Sequence, residues 1–136
     1  MRERHGEHAF LVGFTTATGT VTAASDWDAA AEQKRVRPPL AGSVEELLHH
    51  TDQPALLMLL DDPRARELLG PPRLKRAIGV IYRPHSERLS HYFQARVAEQ
   101  FDALIHLDHT RALEPLDRDA GWEPEAEAPE TYPTGL

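Results

Sequence analysis

Residues 9–28 read AFLVGFTTATGTVTAASDWD, and this stretch decides the fold class of the chain. Residues 9–14 are mostly apolar and favour a β-strand, and residues 18–23, in which a valine is flanked by threonines, favour a second one. The glycines and threonines between them are typical of a strand that enters a loop whose backbone approaches something closely. We therefore expect a buried strand that leads into a loop near the start of the chain.

Only the residues MRERHGEH precede this stretch. A buried-looking strand so close to residue 1 predicts a chain that starts in the middle of a fold. The strands predicted further along the chain are also few for a sheet whose edges must be covered. Both observations indicate part of a larger domain.

The composition restricts the classes of function. The formal net charge is -7, and part of the acidic excess lies in residues 117–136. This charge argues against a nucleic-acid or anionic-membrane partner, because both need a basic surface. The absence of cysteine excludes disulfides, thiolate nucleophiles and cysteine-bound zinc. No apolar run is long enough to span a membrane and no signal peptide is evident, so we predict a soluble cytoplasmic protein.

Beyond residue 28, helix patterns alternate with apolar strand patterns. Ser43 and Glu46 have the spacing of a capping box, which predicts a helix from Ser43 onward, and residues 63–69 predict a second, short helix. Residues 27–42 are expected to form a loop or lid, and residues 86–100 a loop or an irregular helix. Residues 55–60 are a short continuous apolar run that suits a strand buried on both faces, although periodicity alone does not exclude a helix, and residues 77–82 are a second apolar strand candidate. Residues 103–107, with the β-branched Ile105 at their centre, predict a further strand.

This order of elements predicts an α/β fold with a mostly parallel central sheet and flanking helices. Because few strands are present, the sheet is expected to be incomplete. We predict one domain over residues 1–116. Residues 117–136 are rich in Glu, Pro, Ala and Asp, and we expect them to form an acidic, flexible tail.

The motif His106-Leu-Asp108-His109 is the strongest candidate for chemistry. On a strand, His106 and Asp108 share one face with Leu104, and they lie at the C-terminal end, where α/β sheets bind ligands. A neutral imidazole beside a carboxylate could serve as a general base or a metal ligand. Alternatively, the two residues form a hydrogen-bonded polar cluster where the strand leaves the core. Local spacing fixes no third ligand, so no metal site is predicted.

The hydroxyl groups have weaker patterns. The threonines of residues 15–20 could line a pocket or pair across a β-hairpin, and their loop lacks the lysine and glycine spacing of a phosphate loop. Adjacent Ser90 and His91 do not predict a nucleophile and its base, since those two groups come from different elements in known sites. His91 and Tyr92 are instead expected to line a substrate pocket or to be structural.

Two further sets of polar residues have local explanations. His49 and His50 are adjacent on a short helix and point in different directions, so we expect a solvated helix end. Arg76 and Arg83 flank the predicted strand at residues 77–82. One of these arginines could bind a carboxylate, and the alternative is that both are solvated.

Four stretches together resemble the erythromycin esterase family: GFTTATGTVTAASDWD, KRVRPPLAGSVEELLHH, RAIGVIYRPHSERLSHYFQARVAEQFDALIHLDHTRALEPL and PETYPTGL. The similarity covers nearly the whole chain and is to the C-terminal part of actinobacterial-type members. The resemblance implies an α/β fold and hydrolysis of an ester, in the named members the lactone ring of a macrolide. It also implies that histidines and glutamates activate the attacking water, without a cofactor.

The family's catalytic residues lie N-terminal to everything present here, so the resemblance implies no catalytic residue in this sequence. A Trp-Ala-His-Asn-x-His type motif should fall shortly before Ala9, where the chain has Arg4-His5-Gly6-Glu7-His8 instead. We therefore expect an erythromycin esterase-like chain that lacks its catalytic half and is inactive alone. The alternative is a non-catalytic module for small-molecule binding or assembly.

The expected partners are a small ester or macrolide-like ligand and the N-terminal half of the domain. No nucleic acid, membrane, metal or cofactor is expected. The candidates for lining a substrate pocket are Thr15, Thr16, Thr18, Tyr82, His91, Tyr92, His106 and Asp108.

Overall fold

The computed structural model describes residues 2–116, and the predicted tail at residues 117–136 lies outside the described residues. The strands are β1 (Val12–Ala23), β2 (Glu32–Val36), β3 (Ala55–Leu59), β4 (Arg73–Arg76), β5 (Tyr92–Ala95) and β6 (Ala103–Thr110). The helices are α1 (Arg2–His5), α2 (Val44–His49), α3 (Pro63–Leu69), α4 (Glu87–Ser90) and α5 (Val97–Gln100), with short 3-10 helices at Gly6–His8 and Pro84–Ser86. No helix in residues 2–116 is long and apolar enough to cross a membrane.

The main sheet has the order β2-β1-β6-β3, and β4 and β5 form a separate antiparallel pair. The α/β class and the flanking helices are confirmed. The expectation of a mostly parallel sheet was wrong, because only β1 and β6 pair in parallel, whereas β2 and β3 join them antiparallel. Apolar runs predict strands but carry no information on strand direction, so the sequence could not distinguish the two arrangements.

Strand β1 is one continuous strand rather than the two predicted at residues 9–14 and 18–23. The threonines between those ranges have high β-propensity and continue the pairing with β6. Gly19 has a φ of 109°, and a Cβ at this position would overlap the backbone of Thr110. The close approach predicted for the glycine–threonine stretch is therefore made by the backbone of β6.

Helix α2 begins as the sequence predicts. The Glu46 backbone N–H donates to the Ser43 hydroxyl (3.1 Å), and the Glu46 carboxylate accepts from the Gly42 N–H (2.6 Å). The first bond satisfies a donor that a helix start otherwise leaves free. The second reaches the residue before the N-cap, because the Ser43 N–H donates to the Leu40 carbonyl oxygen instead. Helix α3 has the predicted bounds, with Asp62 as its N-cap.

Two polar strands escaped prediction, and one predicted strand is wrong. Residues 77–82 form no regular strand, and Val80 among them is 73% exposed. The strand is instead the polar segment Arg73–Arg76, which pairs with β5. Strand β2 lies inside the predicted loop 27–42, and the ambiguous residues 86–100 contain α4, β5 and α5. A short polar strand is stabilised by its partner strand, which local composition does not reveal.

The hydrophobic core lies between one face of the main sheet and the elements α2, α3, β5 and α5. Its buried members are Val44, Leu48, Leu60, Ala65, Leu69, Ala95, Val97 and Leu104. Strand β3 was expected to be buried on both faces, but it is an edge strand, and its Leu57 is 66% exposed. Only one face of the sheet is therefore covered by this core.

Candidate functional site

Four side chains from three elements form a hydrogen-bonded chain, which we call the Thr15–His49 array: Thr15, His106, Asp108 and His49. Thr15 of β1 and His106 of β6 are directly opposite in the parallel register, so they point to the same face of the sheet. His106 and Leu104 are fully buried on this face, as the strand period predicts. Helix α2 packs on the same face, and its last residue, His49, reaches Asp108.

The hydrogen bonds of the Thr15–His49 array fix which nitrogen carries each proton. Asp108 Oδ1 lies 2.7 Å from His49 Nδ1 and 3.3 Å from His106 Nε2, and a carboxylate only accepts, so both nitrogens donate to it. A neutral His106 then has a free lone pair on Nδ1. The Thr15 hydroxyl, 2.8 Å away, donates to this lone pair.

The electrostatics agree with this proton arrangement. Burial lowers the pKa of His106, and the opposing hydrogen bond and charge of Asp108 do not offset it. For Asp108, burial would raise the pKa, but the hydrogen bonds and charges of His49 and His106 together lower it. At neutral pH the array therefore holds a charged carboxylate beside a neutral, fully buried imidazole.

The order hydroxyl–imidazole–carboxylate is the one found in serine-type nucleophilic sites. However, Thr15 is only 7% exposed and His106 is inaccessible, so a substrate carbonyl cannot reach the Thr15 hydroxyl in this structure. The exposed end is formed by His49 and Asp108, whose side chains are 46% and 27% exposed. An imidazole held through Nδ1 by a carboxylate can transfer a proton at Nε2, so acid–base chemistry is restricted to this end.

His49 was expected to be solvated, and its role was missed. Both histidines are exposed, as expected for a helix end, but His49 is also bound to Asp108. Fifty-nine positions separate the two residues, and no local pattern reports such a contact. The only signal is that His49 lies in the last turn of a helix predicted to pack on the sheet.

The remaining predicted threonines bond within the sheet and do not surround a cavity. The Thr18 hydroxyl donates to the Asp108 carbonyl oxygen (3.3 Å) and lies 3.3 Å from His109 Nδ1. The Thr16 hydroxyl donates to the Thr18 carbonyl oxygen (3.1 Å) and contacts Thr110. Of the two alternatives for these hydroxyls, the structure shows cross-strand pairing, although between parallel strands and not across a hairpin.

The predicted residues Tyr82, His91 and Tyr92 belong to a second polar cluster, centred on Arg76 and Glu87. The side chains of this ion pair are 2% and 0% exposed, and Arg76 Nη1 lies 3.0 Å from Glu87 Oε1. The Tyr82 hydroxyl donates to the same oxygen (2.6 Å), and burial raises the pKa of Tyr82. Arg76 thus binds a carboxylate, which is one of the two alternatives predicted for it. The carboxylate is internal and is no ligand.

The imidazole and the second phenol of this cluster are bonded to the backbone. His91 Nδ1 donates to the Ala77 carbonyl oxygen (3.1 Å), and Nε2 accepts from the Arg83 N–H (3.2 Å), so the ring is held as one neutral tautomer. The Tyr92 hydroxyl accepts from the Leu40 N–H at 3.0 Å. Burial raises the pKa of Tyr92, so this phenol stays protonated.

Arg76 connects the two groups of predicted residues. Its Nη2 donates to the carbonyl oxygens of Thr16 (2.6 Å) and Ala17 (2.9 Å) in β1, next to Thr15. The structure therefore places six of the eight candidates in two adjoining polar clusters and not in one open pocket, whereas Thr16 and Thr18 bond within the sheet. Sequence reasoning missed two buried glutamates, Glu87 and Glu45. The Glu45 carboxylate accepts from the Arg76 N–H. No sequence pattern at either position distinguishes a buried glutamate from a solvated one.

Concave surfaces lie elsewhere on the molecule. One groove lies between β3 and α3 and is lined by Leu57, Leu59 and Leu68, with Asp61 and Arg64 nearby. None of the predicted pocket residues lines it. Over residues 2–116, no group of three or more His, Asp or Glu side chains could hold a metal ion.

Two solved structures share the fold. A crystal structure of a succinoglycan biosynthesis protein has a TM-score of 0.66 and 20% sequence identity, over 81% of this chain and 26% of that chain. A crystal structure of a protein from Bacillus cereus has a TM-score of 0.66 and 12% identity, over 81% of this chain and 27% of that chain. At such identities the likeness shows the fold alone. This chain spans about a quarter of the length of either solved protein.

The sequence model of the erythromycin esterase family matches residues 1–110. The matched range includes both polar clusters and every strand of the main sheet. The match confirms the resemblance seen in the sequence. This chain belongs to the erythromycin esterase family.

Proposed function

We propose that this chain contributes to the hydrolysis of a carboxylic ester, with a macrolide lactone as the substrate class, and that it does so as one part of an erythromycin esterase-type hydrolase. In this reaction water adds across the acyl C–O bond: the hydroxyl goes to the acyl carbon, and the proton goes to the leaving oxygen. The observation that carries the proposal is the family match over residues 1–110. The absence of cysteine is compatible with a cytoplasmic location, which we propose as well.

We further propose that the residues described here do not carry out the reaction alone. Thr15 and His106 are buried, and the Tyr82, His91 and Tyr92 side chains are held by internal hydrogen bonds. The exposed end of the Thr15–His49 array is the part that could exchange protons with a bound substrate. Its role in this proposal is to line one side of the site, with the activated water held by other residues of the hydrolase.

The test is an ester-hydrolysis assay in two formats. The purified chain is incubated with erythromycin or a p-nitrophenyl ester, either alone or with the N-terminal portion of an erythromycin esterase family member that ends where its sequence aligns with Arg2. We expect no turnover by the chain alone, and ring opening, detected as the mass gain of one water, in the mixture or in a covalent fusion. Absence of turnover in the fusion would refute the proposed activity.

A non-catalytic assembly module is the second candidate, and the exposed apolar face of the sheet favours it. Phe14 and Leu57 are each 66% exposed on that face. If the fusion never hydrolyses an ester although the two parts associate, assembly is the better description. Equilibrium dialysis with erythromycin then separates a module that also binds the small molecule from one that binds protein alone.

A further inference from the structure

The face of the main sheet turned away from α2 is a continuous apolar surface, which we call the outer face. Three adjacent strands contribute to it in register, so that Phe14, Ile105 and Leu57 form one row across the sheet. A neighbouring row consists of residues two positions away in each strand. Thr16 lies beside Leu107 on the same side of the sheet, and the apolar members, for which we keep the name outer face, are Val12, Phe14, Ala55, Leu57, Leu59, Ala103, Ile105 and Leu107.

The large side chains at the two outer strands of the outer face are exposed, although Ala103 at its centre is buried. Phe14 and Leu57 are 66% exposed and Leu59 is 52% exposed, whereas Leu104 and His106 on the inner face are inaccessible. Single exposed apolar side chains are common on proteins, but adjacent ones across three strands mark an interaction surface. The members of the outer face carry no charge, and the charged residues Asp61, Asp62 and Arg64 line the adjoining groove between β3 and α3.

The pairing within the sheet indicates what covers the outer face. Its central pair, β1 and β6, is parallel, and parallel pairing is typical of sheets with both faces covered, usually by helices. One face already carries α2 and the rest of the core. The groove between β3 and α3 extends the outer face and could accept an apolar side chain of the covering segment.

We propose that the outer face is the docking surface for a separate polypeptide segment whose helices present an apolar stripe, namely the N-terminal portion of an erythromycin esterase-type hydrolase. This inference rests on the proposed function. It is supported by the two solved structures that share the fold, in which the matched unit is about a quarter of a longer chain. A second copy of this chain, or residues 117–136, are the competing occupants.

The test uses a double variant on the outer face and a matched control. In the F14Q/L57Q variant two exposed apolar side chains become polar, and because neither belongs to the core, the variant should fold with an unchanged circular dichroism spectrum. The control is L89Q, because Leu89 is 92% exposed on α4, which packs against β5 of the separate strand pair. The probe is the N-terminal portion of a family member that ends where its sequence aligns with Arg2.

Binding of the labelled probe is measured by fluorescence anisotropy for each form of the chain. We expect the wild-type chain and L89Q to bind alike, and F14Q/L57Q to bind roughly 100-fold more weakly. Equal binding by F14Q/L57Q would overturn the proposal. The proposal would also be overturned if light scattering showed that the wild-type chain is a dimer, that the double variant is a monomer, and that neither binds the probe.

Two more measurements keep this inference distinct from the proposed function. If the complex forms through the outer face but does not hydrolyse the ester, the docking surface stands and the proposed activity fails. If the mixture hydrolyses the ester and F14Q/L57Q does not reduce the rate at low probe concentration, the activity stands and the docking surface fails. The last measurement compares the full chain with a chain that ends at Leu116. If the shorter chain binds the probe more than tenfold more tightly than the full chain, residues 117–136 are the occupant and the proposal is overturned.

Discussion

Replacing Arg76 with methionine tests whether the buried ion pair holds the second polar cluster against the main sheet. Methionine keeps a long apolar side chain but removes every donor of the guanidinium. In the native structure that group, 2% exposed, donates to Glu87 and to three backbone carbonyl oxygens, those of Thr16, Ala17 and Arg37. After the substitution Glu87 would be a buried carboxylate with Tyr82 as its remaining donor, since its Oε2 has no partner already.

The expected loss of stability follows from this geometry. Removing one partner of a buried ion pair costs about 3–5 kcal/mol, because the other charge stays buried without compensation. Since a domain of this size is stable by about 5–15 kcal/mol, R76M should be folded only marginally. In E87Q the amide oxygen can still accept from Arg76 and Tyr82, so this variant should lose about 1–3 kcal/mol. The loss of stability in the double variant R76M/E87Q should be about 1–3 kcal/mol smaller than the sum of the two single losses, because the double variant has no unpaired buried charge at these positions.

The free energies of unfolding are measured by urea denaturation, followed by far-UV circular dichroism, for the wild type, both single variants and the double variant. R83M is the matched control: Arg83 pairs with Asp26 at 3.2 Å on the surface, with side chains 43% and 71% exposed. It should cost at most about 1 kcal/mol. Two results would refute the reasoning: a loss of unfolding free energy in the double variant equal to the sum of the R76M and E87Q losses, or an R76M loss no larger than that of R83M.

Three further substitutions test other parts of the fold. G19A should destabilise the chain by at least about 2 kcal/mol, because a Cβ there overlaps the Thr110 backbone; a thermal midpoint equal to that of the wild type would contradict this. S43A removes the acceptor of the Glu46 N–H and should lower the free energy of unfolding, measured by urea denaturation, by about 1 kcal/mol. The control is S86A, which should lose less because Ser86 makes no capping bond; equal losses would contradict the role of Ser43. Burial lowers the pKa of His106 below its ordinary 6.5, so the unfolded chain binds the proton more readily and stability falls as the pH drops through that range. In H106Q the decrease in thermal midpoint from about pH 7.5 to about pH 5 should therefore be smaller than in the wild type and in H50Q, and an equal decrease in all three would contradict the assignment.

The parts of the fold that the sequence predicted are those with local causes. Helix α2 follows from the capping spacing of Ser43 and Glu46, and α3 from a proline at its start and a glycine after its end. Strand β3 follows from a short continuous apolar run, and the start of β6 from the apolar residues around the β-branched Ile105. In β6 the period of two places His106 and Leu104 on one face, and both side chains are buried there.

The parts that escaped prediction depend on distant partners. In β4, Lys75 and Arg76 are buried charged residues, and burial lowers the pKa of Lys75 while the nearby Glu45 opposes this. A strand of such residues is stable only where carboxylates from other elements meet it, and composition alone favoured the apolar residues 77–82 instead. The same holds for the candidate site: Thr15 meets His106 through strand register, and His49 meets Asp108 through the packing of α2.

The two faces of the sheet lead to different conclusions about function. In the two polar clusters, which begin at the inner face with Thr15 and His106, nearly every buried polar group in the described residues has a partner, so the histidines and tyrosines that suggest a pocket are largely engaged in holding the fold together. A group that already makes its hydrogen bonds gains little by exchanging them for those of a ligand. On the outer face the large apolar side chains of Phe14, Leu57 and Leu59 remain in contact with water, and covering them is favourable by about 25 cal/mol per Å². The free energy available for association therefore lies on the outer face, whereas within the Thr15–His49 array proton transfer is available at the exposed His49–Asp108 end.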